Sequence, residues 1–238
     1  ISGSGNKKHF NKKNLILISQ SIYQEQKKFN IKLSGGDTVT SKKSSFTITV
    51  VGFSKKIVKR NKAKKGDDIY VTGNLGDSFI GLNTLKKKIN INKKINNYFI
   101  NKYYHPELPV KTCKYLNKFA NTSIDISDGL FADIKKLIND QNLGFVINLD
   151  KIPVSKNLNL YLKKNKKTKI NVISKGDDYQ IVFTASKKKR IYIKEFFKRI
   201  NQKISRIGTI TNQSKLGLII NHRKVLKPLN NDGYLHKF

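Results

Sequence analysis

The sequence predicts an α/β fold of the α+β type. Short β-branched and aromatic runs alternate with segments whose apolar residues recur at helical spacing, and glycine-containing turns separate the two kinds. No fixed period repeats along the 238 residues, which excludes a solenoid. With 37% hydrophobic residues the chain can build real cores, so disorder is not the default.

Taken in order, residues 12–29 read as a helix, with Leu15, Ile18, Ile22 and Phe29 near helical spacing. A short strand is expected at 31–33, running into Gly35-Gly36-Asp37-Thr38. SFTITVVGF at 45–53 reads as a strand, followed by a basic loop containing Arg60. DIYVTG at 68–73 is a further strand, and Asp77 or Ser78 is expected to cap the helix that follows. Helices are expected near 95–103 and 109–120. TSIDI at 122–126 reads as a strand that Ser127-Asp128-Gly129 turns into the helix LFADIKKLIND. GFVINL, YQIVFTAS, a helix near 187–200, KISRIGTI and LGLIIN complete the alternation.

Charge dominates the composition: 49 Lys and Arg stand against 15 Asp and Glu, a net charge of +34. A polyanion partner would explain it, and so would compositional drift, because lysines are scattered over nearly every segment and follow no helix face. The lone Cys113 excludes an internal disulfide, and no run approaches the roughly 20 apolar residues that cross a bilayer. No charged-then-apolar leader is present, and a cytoplasmic protein is expected. There is no Met, so sequence upstream of Ile1 is expected as well.

The placement of the acids is more telling than their number. Asp37, Asp67, Asp68, Asp77, Asp125, Asp128, Asp177 and Asp178 lie in five Gly- or Ser-containing segments: GGDT, KKGDD, GNLGDS, DISDG and KGDDY. Carboxylates beside glycine, where backbone N–H groups can approach a ligand, suit hard cations and phosphates. In DISDG, Asp125 and Asp128 flank Ser127 between a strand end and a helix start, a place for phosphate oxygens and a bridging cation; helix capping by Asp128 would explain the pattern too. GNLGDS reads as a cap before an amphipathic helix. KGDDY is either a surface turn or a ligand loop at a strand end. Arg60, among the few arginines in a lysine-rich chain, suggests a bidentate phosphate contact.

These segments, in this order, resemble the thiamine-monophosphate kinases, members of the aminoimidazole-ribonucleotide-synthetase-like ATP-binding superfamily. The matching stretches are LSGGDTV, SFTITVVGF, KRNKAKKGDDIYVTGNLGDSFIGL, YHPELPV, SIDISDGLFADI, SKGDDYQIVFTAS and GYLHKF, covering residue 31 to the C-terminus. The resemblance implies that residues 1–55 are a remnant of an N-terminal ATP-binding domain and residues 56–238 a complete C-terminal α/β domain. It implies that Gly36, Asp37, Arg60 and Ser127 contact ATP, that Asp37, Asp125 and Asp128 hold several Mg2+ ions, and that Asp177 and Tyr234 contact thiamine monophosphate. It also implies a homodimer. Asp177 stands where the family has Glu, and Lys175 where it has Gly. The family's first metal-binding carboxylates precede anything in this sequence.

An acceptor that is already a phosphate dianion needs no general base, only cations and donors that hold two polyanions in line. Another enzyme of the superfamily, such as aminoimidazole ribonucleotide synthetase or selenophosphate synthetase, would share the Asp framework, but SKGDDYQ and GYLHKF favour the kinase. A basic nucleic-acid-binding protein is the alternative from a different class.

Overall fold

The structure is a computed structural model describing residues 1–6, 8, 10–89, 92–212, 217–220 and 226–228. It divides into two compact units, Ile1–Lys55 and Lys56–Phe238.

The first unit has strand β1 (Ser2–Gly5), helix α1 (Lys12–Phe29), β2 (Asp37–Thr40) and β3 (Ser45–Thr47). β1 lies centrally, parallel to β2 and antiparallel to β3. α1 starts where the Asn11 side chain accepts the Asn14 N–H and stops at Asn30 in the left-handed conformation. The strand expected at 31–33 does not form. Its N–H groups are taken by the helix end instead: Ile31 donates to the Gln26 carbonyl, and Leu33 donates to the Gln26 side-chain oxygen at 2.6 Å. The strand expected over 45–53 is three residues long, because β1 pairs only with Ser45–Thr47. Beyond it Ile48, Val50, Val51 and Phe53 are exposed, Phe53 at 97%. Among the described residues of this unit only Gly5 is buried, so it has no closed core.

The second unit is built on a sheet of β4 (Asp68–Thr72), β5 (Thr122–Asp125), β6 (Gly144–Asn148), β7 (Ile181–Ala185), β8 (Ile204–Thr211), β9 (Gly217–Ile220) and β10 (Leu226–Pro228), in the order β10-β9-β6-β8-β4-β7-β5. All neighbours are antiparallel except β6 and β9. Its helices are α2 (Asp77–Leu85), α3 (Lys93–Tyr104), α4 (Val110–Cys113), α5 (Leu130–Leu137), α6 (Lys156–Lys164), α7 (Lys169–Ile173) and α8 (Arg190–Arg199). The helix expected over 109–120 is broken into α4 and a single 3-10 turn at Leu116–Lys118. The sequence reading missed β1, α6, α7 and β10.

Strand alternation sorts the core onto two faces. Ile69, Val71, Val182, Phe145 and Ile147 pack with Leu130, Phe131, Ile134 and Leu137 of α5. Tyr70, Ile181, Phe183 and Ala185 face Ile193, Phe196 and Phe197 of α8. A third cluster of Ile80, Phe99, Leu158, Tyr161 and Val172 joins α2, α3, α6 and α7. The edge strand β5 and its neighbour β7 therefore enter their connecting loops from a fully packed sheet.

Candidate functional site

β5 and β7 are antiparallel with Asp125 opposite Ile181, and their pairing continues past the strand ends. Ile126 donates its N–H to the Gln180 carbonyl, Tyr179 to Ile126 at 2.9 Å, and Asp177 to Ser127 at 3.0 Å. The loop after β5 and the loop before β7 are thereby joined edge to edge. Two glycines permit this. A Cβ on Gly176 would run into the Ser127 carbonyl, and one on Gly129 into the Ser174 carbonyl; Gly129 also has φ +112°. Asp177 and Tyr179 adopt left-handed φ values of 69° and 49° within the same loop, a strained arrangement for residues with side chains.

Neither Asp128 nor Ser127 caps α5, whose first turn follows Gly129. The tie comes from inside the helix. Asp133, with its side chain 1% exposed, accepts the backbone N–H groups of Ser127 at 3.0 Å and Asp128 at 2.9 Å on one oxygen. Its other oxygen accepts from Lys136 at 3.0 Å, and Lys136 also holds the Asp128 carboxylate. Burial pushes the Asp133 carboxyl up, against the pull of Lys136 and the Asp128 amide. Burial opposes the charge on Lys136, but its two carboxylate partners outweigh that and raise it. Asp125 is exposed and, among the described residues, makes no hydrogen bond or ion pair through its side chain.

Asp177 is partly buried. Desolvation and the neighbouring Asp128 raise its carboxyl, and Lys86 draws it down. Burial and then the nearby charges of Asp177 and Asp125 raise the Tyr179 hydroxyl. Among the described residues no three His, Cys, Asp or Glu side chains are gathered closely enough to hold a metal by themselves.

The other acids of the glycine segments in the second unit turn inward. Asp178 accepts the Gly76 N–H on both oxygens, at 3.0 and 2.8 Å, fixing the start of α2; burial raises its carboxyl well above the usual range. The cap expected from Asp77 or Ser78 is therefore supplied by a residue a hundred positions away, while Gly76 at φ +90° occupies the cap position. Asp77 instead accepts from Ser155 at 2.7 Å and Tyr98 at 2.9 Å. Asp67 accepts from the Lys64 N–H, Asn121 and Thr184, and Asp68 takes the Arg190 guanidinium on both oxygens at 2.6 and 2.8 Å.

Asp125, Ser127, Asp128 and Asp177 are thus brought together on adjoining loops, and Arg60 is not brought there by its own backbone. Lys59 accepts from Thr122 at the start of β5, and Asn61 donates to Leu137 at the end of α5. Those anchors lie at the far end of both elements, about 10 Å along the strand from Asp125. In the first unit, Gly36 and Asp37 are held by Ile1: the Asp37 N–H donates to its carbonyl at 3.0 Å, and a Cβ on Gly36 would collide with that oxygen. The Asp37 carboxylate accepts the Thr38 N–H and is exposed. Tyr234 lies outside the described residues. Sequence reasoning missed Asp133 and Lys136 as site residues, although an acid in the first turn of the helix, three positions before a lysine, was a readable signal.

Among known proteins, the thiamine-monophosphate kinase of Buchnera aphidicola subsp. Acyrthosiphon pisum (strain APS) is 40% identical over 215 residues, covering 88% of this chain. The chain spans 65% of that relative's length. Thiamine monophosphate kinase from Aquifex aeolicus shares the fold with a TM-score of 0.77 at 24% identity, over 95% of this chain and 73% of its own. AaThiL complexed with AMPPCP and TMP gives 0.78 at 23% identity, over 99% of this chain and 72% of its own. The family model for the C-terminal domain of AIR synthase related proteins matches residues 64–221, which include every loop of the site in the second unit. The chain belongs to the AIR-synthase-related family.

Proposed function

We propose that this chain is part of a kinase that transfers the γ-phosphoryl group of ATP directly to thiamine monophosphate, giving thiamine diphosphate, with Mg2+ as the required cation. The observation that supports it most is the interlocked pair of loops that presents Asp125, Ser127, Asp128 and Asp177 together, in a chain 40% identical to a thiamine-monophosphate kinase.

The donor set fits Mg2+, which is held by one or two carboxylates together with substrate phosphates and water rather than by a protein cage. Asp125 and Asp128 would supply those carboxylates, and Asp37 is the further ligand that the family resemblance implies. When bound, Mg2+ offsets the negative charge of the polyphosphate. The protein's own part is positional. The first turn of α5 directs backbone N–H groups toward an anion, Ser127 meets the nucleotide, and Gly36 and Arg60 make further ATP contacts. Asp177 and Tyr234 would contact thiamine monophosphate, the acid answering the cationic thiazolium and the ring offering an aromatic face. The acceptor phosphate has a second pKa of about 6 and is already a nucleophilic dianion at neutral pH, so no side chain need remove its proton.

On this reading residues 1–55 are part of an ATP-binding domain and residues 56–238 its C-terminal partner domain, in a cytoplasmic homodimer. No helix among the described residues is long and apolar enough to cross a membrane. The test is Asp125→Asn, assayed in this chain and in a version extended to the relatives' length. Mg2+-dependent formation of thiamine diphosphate should fall by on the order of 100-fold while circular dichroism stays at parent values, because the exposed Asp125 side chain has no hydrogen bond or ion pair among the described residues. Parent activity at saturating Mg2+ would remove Asp125 from the mechanism.

A further inference from the structure

The carboxylates around the start of α5 are not equivalent. Asp133 is buried and fully engaged: one oxygen receives two backbone N–H groups and the other receives Lys136. Among the described residues the Asp128 carboxylate is held only by the Lys136 ammonium. Both ends of that pair are within reach of a ligand, with side chains 32% exposed for Asp128 and 41% for Lys136. Among the described residues Asp125 has no side-chain hydrogen-bond or ion-pair partner.

We propose that Lys136 is a positioning residue that occupies the divalent-cation position at Asp128 and must leave it before the cation can bind. This inference rests on the reading of Asp125 and Asp128 as cation ligands. An ammonium is monovalent and sits at the end of a flexible four-carbon stem, so it satisfies Asp128 without a rigid cage. On displacement Lys136 keeps its bond to Asp133, one turn away on the same helix, and its charge stays beside the site. Asp133 stays committed to the Ser127 and Asp128 amides throughout, so the loop does not collapse when the ammonium moves. The exchange sets how much free cation is needed to load the site. It also keeps the Asp128 carboxylate from being left without a counter-charge.

The test is Mn2+ binding to the intact chain, followed by electron paramagnetic resonance without nucleotide, for the parent, Lys136→Gln and Lys136→Arg. Removing the competing ammonium should tighten Mn2+ binding by about tenfold in Lys136→Gln. A guanidinium grips a carboxylate bidentately, so Lys136→Arg should weaken Mn2+ binding below the parent. A purely structural lysine would give the opposite ranking, with the glutamine variant weaker and the arginine variant near the parent. Equal affinity in all three, or weaker binding in a folded Lys136→Gln, overturns the proposal. If Lys136→Gln does not fold, Lys136→Arg decides alone, since it keeps the charge that Asp133 needs. Asp125→Asn separates the two levels of the argument. Binding that depends on Asp125 yet ignores Lys136 sinks only this proposal, whereas no Mn2+ binding, or binding indifferent to Asp125, removes the cation site and this proposal with it.

Discussion

The tetrapeptide Lys-Gly-Asp-Asp occurs twice, at 65–68 and at 175–178, and the two copies have different fates. In the first, both acids are buried. Asp67 gathers the Lys64 amide, Asn121 and Thr184, and Asp68 pairs with Arg190 and Arg206 before the chain runs straight into β4. In the second, only Asp178 turns inward, to the Gly76 amide, while Asp177 stays partly exposed, with the charge of Asp128 raising its carboxyl. Identical local sequence therefore gives a purely structural turn in one place and a candidate ligand loop in the other. The glycines mark the difference. Gly66 sits at φ +81° with nothing within 4 Å of where a Cβ would be, whereas Gly176 is pressed against the Ser127 carbonyl.

The largest expected effect tests that difference directly. Gly176→Ala should drive its new methyl into backbone that cannot swing aside, costing about 3 kcal/mol and separating the two loops. Gly66→Ala meets open space and carries only the left-handed penalty, about 1 kcal/mol. Urea unfolding of both variants measures the gap. Mn2+ binding should weaken in Gly176→Ala and stay at the parent value in Gly66→Ala. Equal destabilisation by the two would mean that the close approach at Gly176 is not what holds the loops.

A smaller effect separates the second acid of the later copy by pH. Burial raises the folded Asp178 carboxyl well above its ordinary value, so the native state binds this proton more tightly than the unfolded chain does. The stability it contributes is fully present below the ordinary carboxylate pKa of about 4 and is lost as pH rises through the raised value. Burial also raises Asp77 and Asp133, which add slopes of the same sign. Asp178→Asn keeps an oxygen for the Gly76 amide without the titration. It should therefore flatten the decline in stability above about pH 4, seen in denaturant midpoints across a pH series. An unchanged slope would show that Asp178 does not titrate in the native state.

How far all this was legible in the sequence depends on how local the cause was. The alternation of strands and helices is set by side-chain period, and the core strands β4, β5 and β7 fell where the β-branched runs lie. α6 was missed because KNLNLYLKK places Leu158, Leu160 and Leu162 at alternate positions. What makes it a helix is the Ser155 cap on the Leu158 amide and the packing of Leu158, Tyr161 and Leu162. The acids were legible as a group but not in their roles. Asp67 and Asp68 find Thr184 and Arg190 more than 100 residues away, and Asp178 finds Gly76 at similar separation, so no local pattern could divide buried acids from exposed ones. Asp133 was different. Its partners Ser127, Asp128 and Lys136 lie within six residues, but its contacts run backward from inside the helix to the loop before it, the reverse of a forward N-cap.

The smallest expected effect falls on Asp177, the acid that departs from its counterpart in the first copy. Among the described residues its carboxylate makes no hydrogen bond to another side chain, and the neighbouring Asp128 opposes its charge. Asp177→Asn should therefore move stability by no more than about 0.5 kcal/mol, in contrast to Asp67, which satisfies three donors from a buried position. The left-handed φ at 177 is no obstacle, because asparagine tolerates that conformation as well as aspartate does. Any effect should appear in binding. If Asp177 answers the cationic ring of thiamine monophosphate, the neutral amide raises KM several-fold and leaves kcat within about twofold, the pattern for a contact made equally in ground and transition states. Lengthening the side chain instead, as Asp177→Glu, restores the acid one methylene further out and should lower KM relative to Asp177→Asn. Parent KM in both variants would leave Asp177 as a turn residue and make the second copy of the tetrapeptide as structural as the first.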